Sequence, residues 1–252
     1  MNKVNYYKSY DEDFVKSANQ NYALNSNFKW YHKNPFYHFG SFLCHIIFII
    51  IANIYSRLFL HVHIHNRELL KKEKGYFLFA NHTQMIGDIL NPVLMTVPVH
   101  PYFVCSPANL GIPVLGKILP LAGALPIPDS LSKLKELKNA INLYINKGKC
   151  IVIYPEAHLW PYCTFIRPHS KSAFHFPYEN HAKSFVATTT YRKGIFEKPI
   201  IDIYIDGPYM ADYTLDKKEA INKLHNEIYN IMSERSKLNT YEFITYKKED
   251  LK

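Results

Sequence analysis

Glycine is scarce, with 9 in 252 residues, and alongside 15 prolines it is too sparse for a collagen-like or low-complexity chain. No segment repeats itself at a fixed period. Cysteine is limited to Cys44, Cys105, Cys150 and Cys163, none in a Cys-x-x-Cys pair and most inside apolar runs, which reads as buried thiols in a reducing compartment. No apolar segment of the secretory kind follows the charged first 14 residues. Arginine-rich stripes and groove-entering motifs are missing, so the basic balance (30 Lys and Arg against 21 Asp and Glu, net +9) does not point to nucleic acid. It suits an anionic partner such as a membrane surface or a CoA-like polyanion. The patterns Gly-x-Ser-x-Gly, Gly-x-Gly-x-x-Gly and His-Glu-x-x-His do not occur. Residues 111–117 have the glycine and lysine spacing of a phosphate loop, but Ile118 stands where a hydroxyl must meet magnesium and Pro113 removes a backbone donor. What is abundant is apolar and aromatic: 48% hydrophobic residues, with 20 Tyr and 16 Phe, exclude a chain disordered throughout and predict one sizeable core.

Residues 1–33 are polar, rich in Asn and Tyr, and follow neither helical nor strand period, as expected of an arm or a peripheral helix. Residues 34–56 carry no Asp, Glu, Lys or Arg. As a helix they would run roughly 34 Å, about the thickness of a bilayer's hydrocarbon. Pro35, His38, Gly40, His45 and Asn53 interrupt the apolar run. An interfacial or re-entrant helix is therefore expected ahead of a true span, with a helix buried in a soluble core as the plainer alternative. The division that follows is 1–58 for the arm and membrane-associated helix and 59–252 for the main domain.

Beyond it, His61, His63 and His65 alternate with Val62 and Ile64, the period of a half-exposed strand with three imidazoles on one face. With no acidic second shell recognisable nearby, outward-pointing histidines are the expectation, and no metal site is. Apolar runs predict strands at 76–80, 150–154, 184–191 and 200–205. A helical stripe of Leu131, Leu134, Leu137, Ile141, Tyr144 and Ile145 predicts a helix within 129–148, capped by Asp129 or Ser130 and stopped by Gly148, and a second helix covers 216–235. This alternation implies an α/β domain with a mixed, largely parallel sheet flanked by helices.

Two stretches carry ionisable groups at the ends of buried strands: Asn81-His82-Thr83-Gln84-Met85-Ile86-Gly87-Asp88 and Tyr154-Pro155-Glu156-Ala157-His158. Such ends are where α/β folds place their sites. A histidine with a carboxylate in reach can activate a hydroxyl, because imidazole titrates near neutrality and the acid fixes its tautomer. Read in order, Asn81-His82 with Asp88, Gly116-Lys117-Ile118-Leu119 with Gly123-Ala124-Leu125-Pro126, and Tyr154-Pro155-Glu156-Ala157 resemble the glycerolipid acyltransferase family typified by lysophosphatidic acid acyltransferases. The resemblance covers residues 61–208.

It implies transfer of an acyl group from a thioester, acyl-CoA or acyl carrier protein, to a hydroxyl of a lysophospholipid or related acceptor, with no other cofactor and no metal. His82 would be the general base and Asp88 its orienting partner, with Asn81, Glu156 and Arg167 meeting the substrate. The family's membrane anchor would correspond to residues 34–56, placing the protein on the cytoplasmic face of a membrane. Three positions depart from the pattern. Five residues separate His82 from Asp88 where the family has four, a change that swings a side chain by about 100° on a regular helix. Asp129 stands where the family has an arginine, and Ala157-His158-Leu159 replaces Gly-Thr-Arg. Arg167 is the candidate to replace the lost phosphate contact, as a guanidinium can grip phosphate through two parallel bonds. A thioesterase using the same pair on water, and a lipid-binding protein that has lost the pair, are the rival readings.

Overall fold

Strands buried on both faces need helices on both faces. The computed structural model, which describes residues 3–15 and 19–249, supplies them in this order: β1 (Lys3–Tyr7), α1 (Pro35–Leu58), β2 (Val62–His65), β3 (Tyr76–Ala80), α2 (Gly87–Thr96), β4 (Pro101–Cys105), α3 (Leu115–Ile118) and β5 (Ala124–Pro126). There follow α4 (Leu131–Asn146), β6 (Cys150–Ile153), α5 (His175–Glu179), β7 (Ser184–Lys193), β8 (Pro199–Tyr209), α6 (Lys217–Ser236) and β9 (Ile244–Lys248). Among the described residues, seven strands form one sheet in the order β2-β8-β7-β3-β6-β4-β5. It is parallel from β7 through β5, while β8 runs antiparallel to β7 and carries β2 alongside it. The expected mixed, largely parallel architecture is the one observed.

Alternate residues of the central strands feed two cores. Phe77, Phe79, Ile151 and Ile153 face Leu137, Ile141, Leu224 and Ile228 of α4 and α6. Tyr76, Leu78, Cys150 and Val152 face Leu70 and Met95 on the other side. The Ser130 hydroxyl caps α4 by accepting from the Lys133 N–H, and Asp216 does the same for α6 at Glu219.

The described part of the first 33 residues is an arm, but one with structure that its sequence did not announce. Strand β1 pairs in parallel with β9 as a separate two-stranded sheet. Further on, Trp30 is buried in the main core, its indole N–H donating to the Pro126 carbonyl at 2.8 Å while the Tyr144 hydroxyl donates to its own carbonyl at 2.9 Å. The histidine strand also differs from expectation. His61 lies outside β2 with φ of 47°. His65 is bonded to Asp202 at 2.8 Å and stacked on Tyr204, and Asp202 is also engaged by Arg192. An acidic partner was therefore present but distant in sequence. No group of His, Cys, Asp or Glu able to hold a metal occurs among the described residues.

Helix α1 begins at Asn34, whose side chain accepts the Phe36 N–H. Its buried stripe is Ser41, His45, Ala52 and Ser56, four positions within about 60° of one another at 100° per residue. The Ser41 hydroxyl donates to the Leu121 carbonyl at 2.7 Å and the Ser56 hydroxyl to Asn91 of α2 at 3.2 Å. The opposite face exposes Phe36, Phe39, Leu43, Ile47, Ile50, Ile54 and Leu58. This is the reverse of a helix on a water-soluble domain, which turns its apolar stripe inward.

Trp30→Ala is expected to lower unfolding free energy by about 3 to 5 kcal/mol through the cavity it leaves, as measured by chemical denaturation. A loss within about 0.5 kcal/mol, as at a surface site, would show that the arm does not belong to the main core.

Candidate functional site

The site forms where β3 and β6, neighbours in the sheet with Phe79 opposite Ile153, run out at their C-terminal ends. Asn81 extends β3 by side chain: its amide N–H donates to the Thr189 carbonyl at 3.0 Å and its amide oxygen accepts the Thr189 N–H at 2.7 Å. The chain then turns, exposing part of the imidazole of His82. Gln84 and Thr83 fix the turn through Tyr191, whose hydroxyl donates to Thr83 Oγ1 at 2.7 Å and accepts the Gln84 amide at 2.8 Å.

His82 Nδ1 lies 2.7 Å from Asp88 Oδ2, with the two side chains 24% and 6% exposed. The longer spacing therefore does not part them. Residues 83–86 are not helical and α2 starts only at Gly87, so the helical rotation argument does not apply to the intervening residues. Gly87 allows the tight entry, for a Cβ there would stand 2.9 Å from Gln84 Cβ and from Asn91 Nδ2. Asp88 also accepts the Gln84 N–H at 2.9 Å, so it acts as acceptor on both sides and Nδ1 carries the proton. Burial raises the Asp88 carboxyl above its ordinary value, while the His82 bond pulls it the other way. Among the described residues His82 Nε2 has no hydrogen-bond partner, and the side chain is partly exposed, which leaves its lone pair free to take a proton.

Tyr154 completes the setting and was not foreseen as a site residue. Its ring stacks on His82 with centroids 4.5 Å apart, and its hydroxyl donates to the Asp88 carbonyl. Burial, and then Asp88, push its phenol well above the ordinary value, so it remains a donor. The sequence signal was the tyrosine directly before Pro155-Glu156, read only as the end of a strand.

Of the residues expected to meet the substrate, Asn81 is bonded to Thr189, and Glu156 and Arg167 are buried around His82. Glu156 and Arg167 form an ion pair at 2.8 Å with side chains 0% and 1% exposed. Glu156 accepts the His82 N–H and the Arg167 N–H, both at 2.8 Å. The guanidinium donates to the His82 carbonyl at 3.2 Å and lies over the Trp160 ring. The Trp160 N–H reaches the same carbonyl at 3.1 Å. Both polar groups of the His82 backbone are thus held, and neither Glu156 nor Arg167 faces an open cleft. Asp129, at the position of the family's arginine, is only turn structure before α4.

Glu156→Gln strands the guanidinium without its countercharge and is expected to cost about 3 to 5 kcal/mol of stability, seen in denaturation curves, with turnover reduced for donor and acceptor alike. A variant of wild-type stability that raises only the acceptor KM would return Glu156 to substrate contact.

A family model described as Acyltransferase matches residues 61–191, just over half of the chain. Among solved structures, the 1-acyl-sn-glycerophosphate (LPA) acyltransferase PlsC from Thermotoga maritima is similar, with a TM-score of 0.56 and 13% identity over 82% of this chain and 89% of that one. At that identity the likeness concerns the fold. No curated protein sequence matches the chain. The family match spans both strand ends and every residue that frames the His82–Asp88 pair, and by it the chain belongs to the Acyltransferase family.

Proposed function

We propose that the protein transfers a fatty acyl group from a thioester, acyl-CoA or acyl carrier protein, to a hydroxyl of a lysophospholipid or related acceptor at a membrane surface. The observation that carries this reading is the His82–Asp88 pair on a partly exposed imidazole whose Nε2 has no partner among the described residues. Nε2 takes the proton of the acceptor hydroxyl as its oxygen attacks the thioester carbonyl. The positive charge that develops on the imidazole is stabilised by Asp88. Collapse of the tetrahedral adduct breaks the C–S bond, and the proton held at Nε2 passes to the departing thiolate, giving ester and thiol. Tyr154 and the frame of Glu156 and Arg167 keep the imidazole still through that cycle.

The membrane side of the proposal is supported by the reversed helix α1. Met85, Ile86 and Ile89, on the very turn and helix that carry the pair, are also exposed, and α2 packs against α1. Apolar surface of this extent marks an interaction face, and next to the pair it suits a lipid substrate delivered from a bilayer. Free cysteines, two of them buried, fit the reducing cytoplasmic face.

Incubation with acyl-CoA or acyl carrier protein thioester and a panel of lysolipids, read by mass spectrometry, should yield acceptor-dependent ester. Release of free fatty acid at the same rate without acceptor would make the protein a thioesterase. His82→Ala should lower turnover by about 10²-fold or more with the fold retained. A folded variant with near wild-type turnover would remove His82 from the chemistry. The paired change Ile47→Lys and Ile50→Lys on the outer face of α1 should shift the protein from vesicle-bound to free in flotation assays. Unchanged flotation would contradict membrane docking through this helix.

A further inference from the structure

A polar cavity lies at the opposite end of the sheet from His82. It occupies about 260 Å³ between the first half of α1 and the start of β4 and β6, and is lined by His38, Ser41, His45, His100, Tyr102 and Lys149 among others. Pro101 and Cys150, which pair in the sheet, place His100 and Lys149 side by side at that edge. His45 and His100 are stacked, with centroids 4.2 Å apart and planes 12° from parallel. Both are buried, and the Nε2 atom of each lacks a hydrogen-bond partner. Buried polar atoms are almost always paired, so two unpaired nitrogens on adjacent residues that line one cavity are a feature to explain.

The charge of the lining indicates what it would take. No carboxylate is among the lining residues. Lys149 is half-buried, and burial followed by Lys147, not an acidic partner, governs its ammonium by lowering its pKa. A metal ion would meet that ammonium as a like charge. An anion would find three ammonium donors and, on protonation or tautomer exchange, two imidazole N–H groups. Burial holds His45 at about 4 and His100 at about 3, with Lys149 adding to the same direction. An anion would oppose that depression.

We infer that this cavity is a binding site for a phosphate-type anion, held by Lys149 with His45 and His100 and separate from the His82 chemistry. The phosphate of a lipid head group and free phosphate share this chemistry. Phe42, 56% exposed at the edge of the buried stripe of α1, also lines the cavity, which joins the site to the apolar surface proposed to meet lipid.

The test uses the full-length protein in nonionic micelles, melted with inorganic phosphate or with sodium chloride of matched ionic strength. Phosphate should raise the midpoint by about 3 to 6 °C at tenfold its dissociation constant. The rise should vanish in Lys149→Gln and persist in Lys149→Arg. Flotation with phosphatidylcholine vesicles, with and without phosphatidate, separates the two sources. A head-group site makes phosphatidate increase capture of the wild type but not of Lys149→Gln, whereas a free-phosphate site leaves the two alike and keeps the thermal shift. Should Lys149→Gln fail to fold, the wild type still reports through the imidazole Cε1–H resonances of His45 and His100, which should both move on adding phosphate. An equal phosphate response in wild type and Lys149→Gln, or no movement of either imidazole, overturns the inference.

Discussion

The buried carboxylate of Glu156 is the contact on which the site's geometry depends. A carboxylate removed from water is tolerated only when its oxygens are matched by donors, and here those donors are the His82 N–H, the Arg167 N–H and the Arg167 guanidinium. The match fixes three chain segments at once: the turn after β3, the end of β6 and the loop of residues 157–170. Arg167 passes the constraint outward through Trp160, whose indole N–H donates to the Glu12 carbonyl and whose ring is stacked on Tyr246. The β1–β9 ribbon, far from the pair in sequence, thus rests against the loop that supports it. His158 adds a bond to Asp13 at 2.7 Å on the same path.

The elements legible from sequence were those whose signal is local. Strand β3 carried an uninterrupted apolar run and helix α4 a helical stripe punctuated at both ends, and these, with helix α6, lie in the structure where they were expected. Helix α2 was hidden by Gly87 and by Pro92 inside it, residues that argue against helix on any local scale. Strands β1 and β9 find their partner at the other end of the chain, information that no window contains. The pairing of His82 with Asp88 was what the resemblance to the acyltransferase family implied, but the rotation expected of a regular helix depended on a helix that begins only at residue 87. Burial was the least legible property. Glu156 and Arg167 were expected to meet the substrate, and only the fold shows each to be the other's buried counterion.

Helix α1 joins the two halves of the account. Its charge-free sequence allowed a span, an interfacial helix or a core helix. Its buried face is polar and small, bonded to Leu121 and Asn91, while its large apolar residues point away from the protein. That partition suits a helix lying along a bilayer with its back on the domain. Its first half borders the proposed anion cavity, and its last turn is bonded through Ser56 to α2, the helix that carries Asp88.

On the proposed chemistry, Asp88 holds His82 as the Nδ1–H tautomer and leaves Nε2 as the base. Nitrogen-15 NMR of the imidazole of His82 in the resting protein measures this directly. The account predicts a protonated Nδ1 with a downfield proton shared with Asp88 and an unprotonated Nε2 at neutral pH, whereas a proton resident on Nε2 would contradict it.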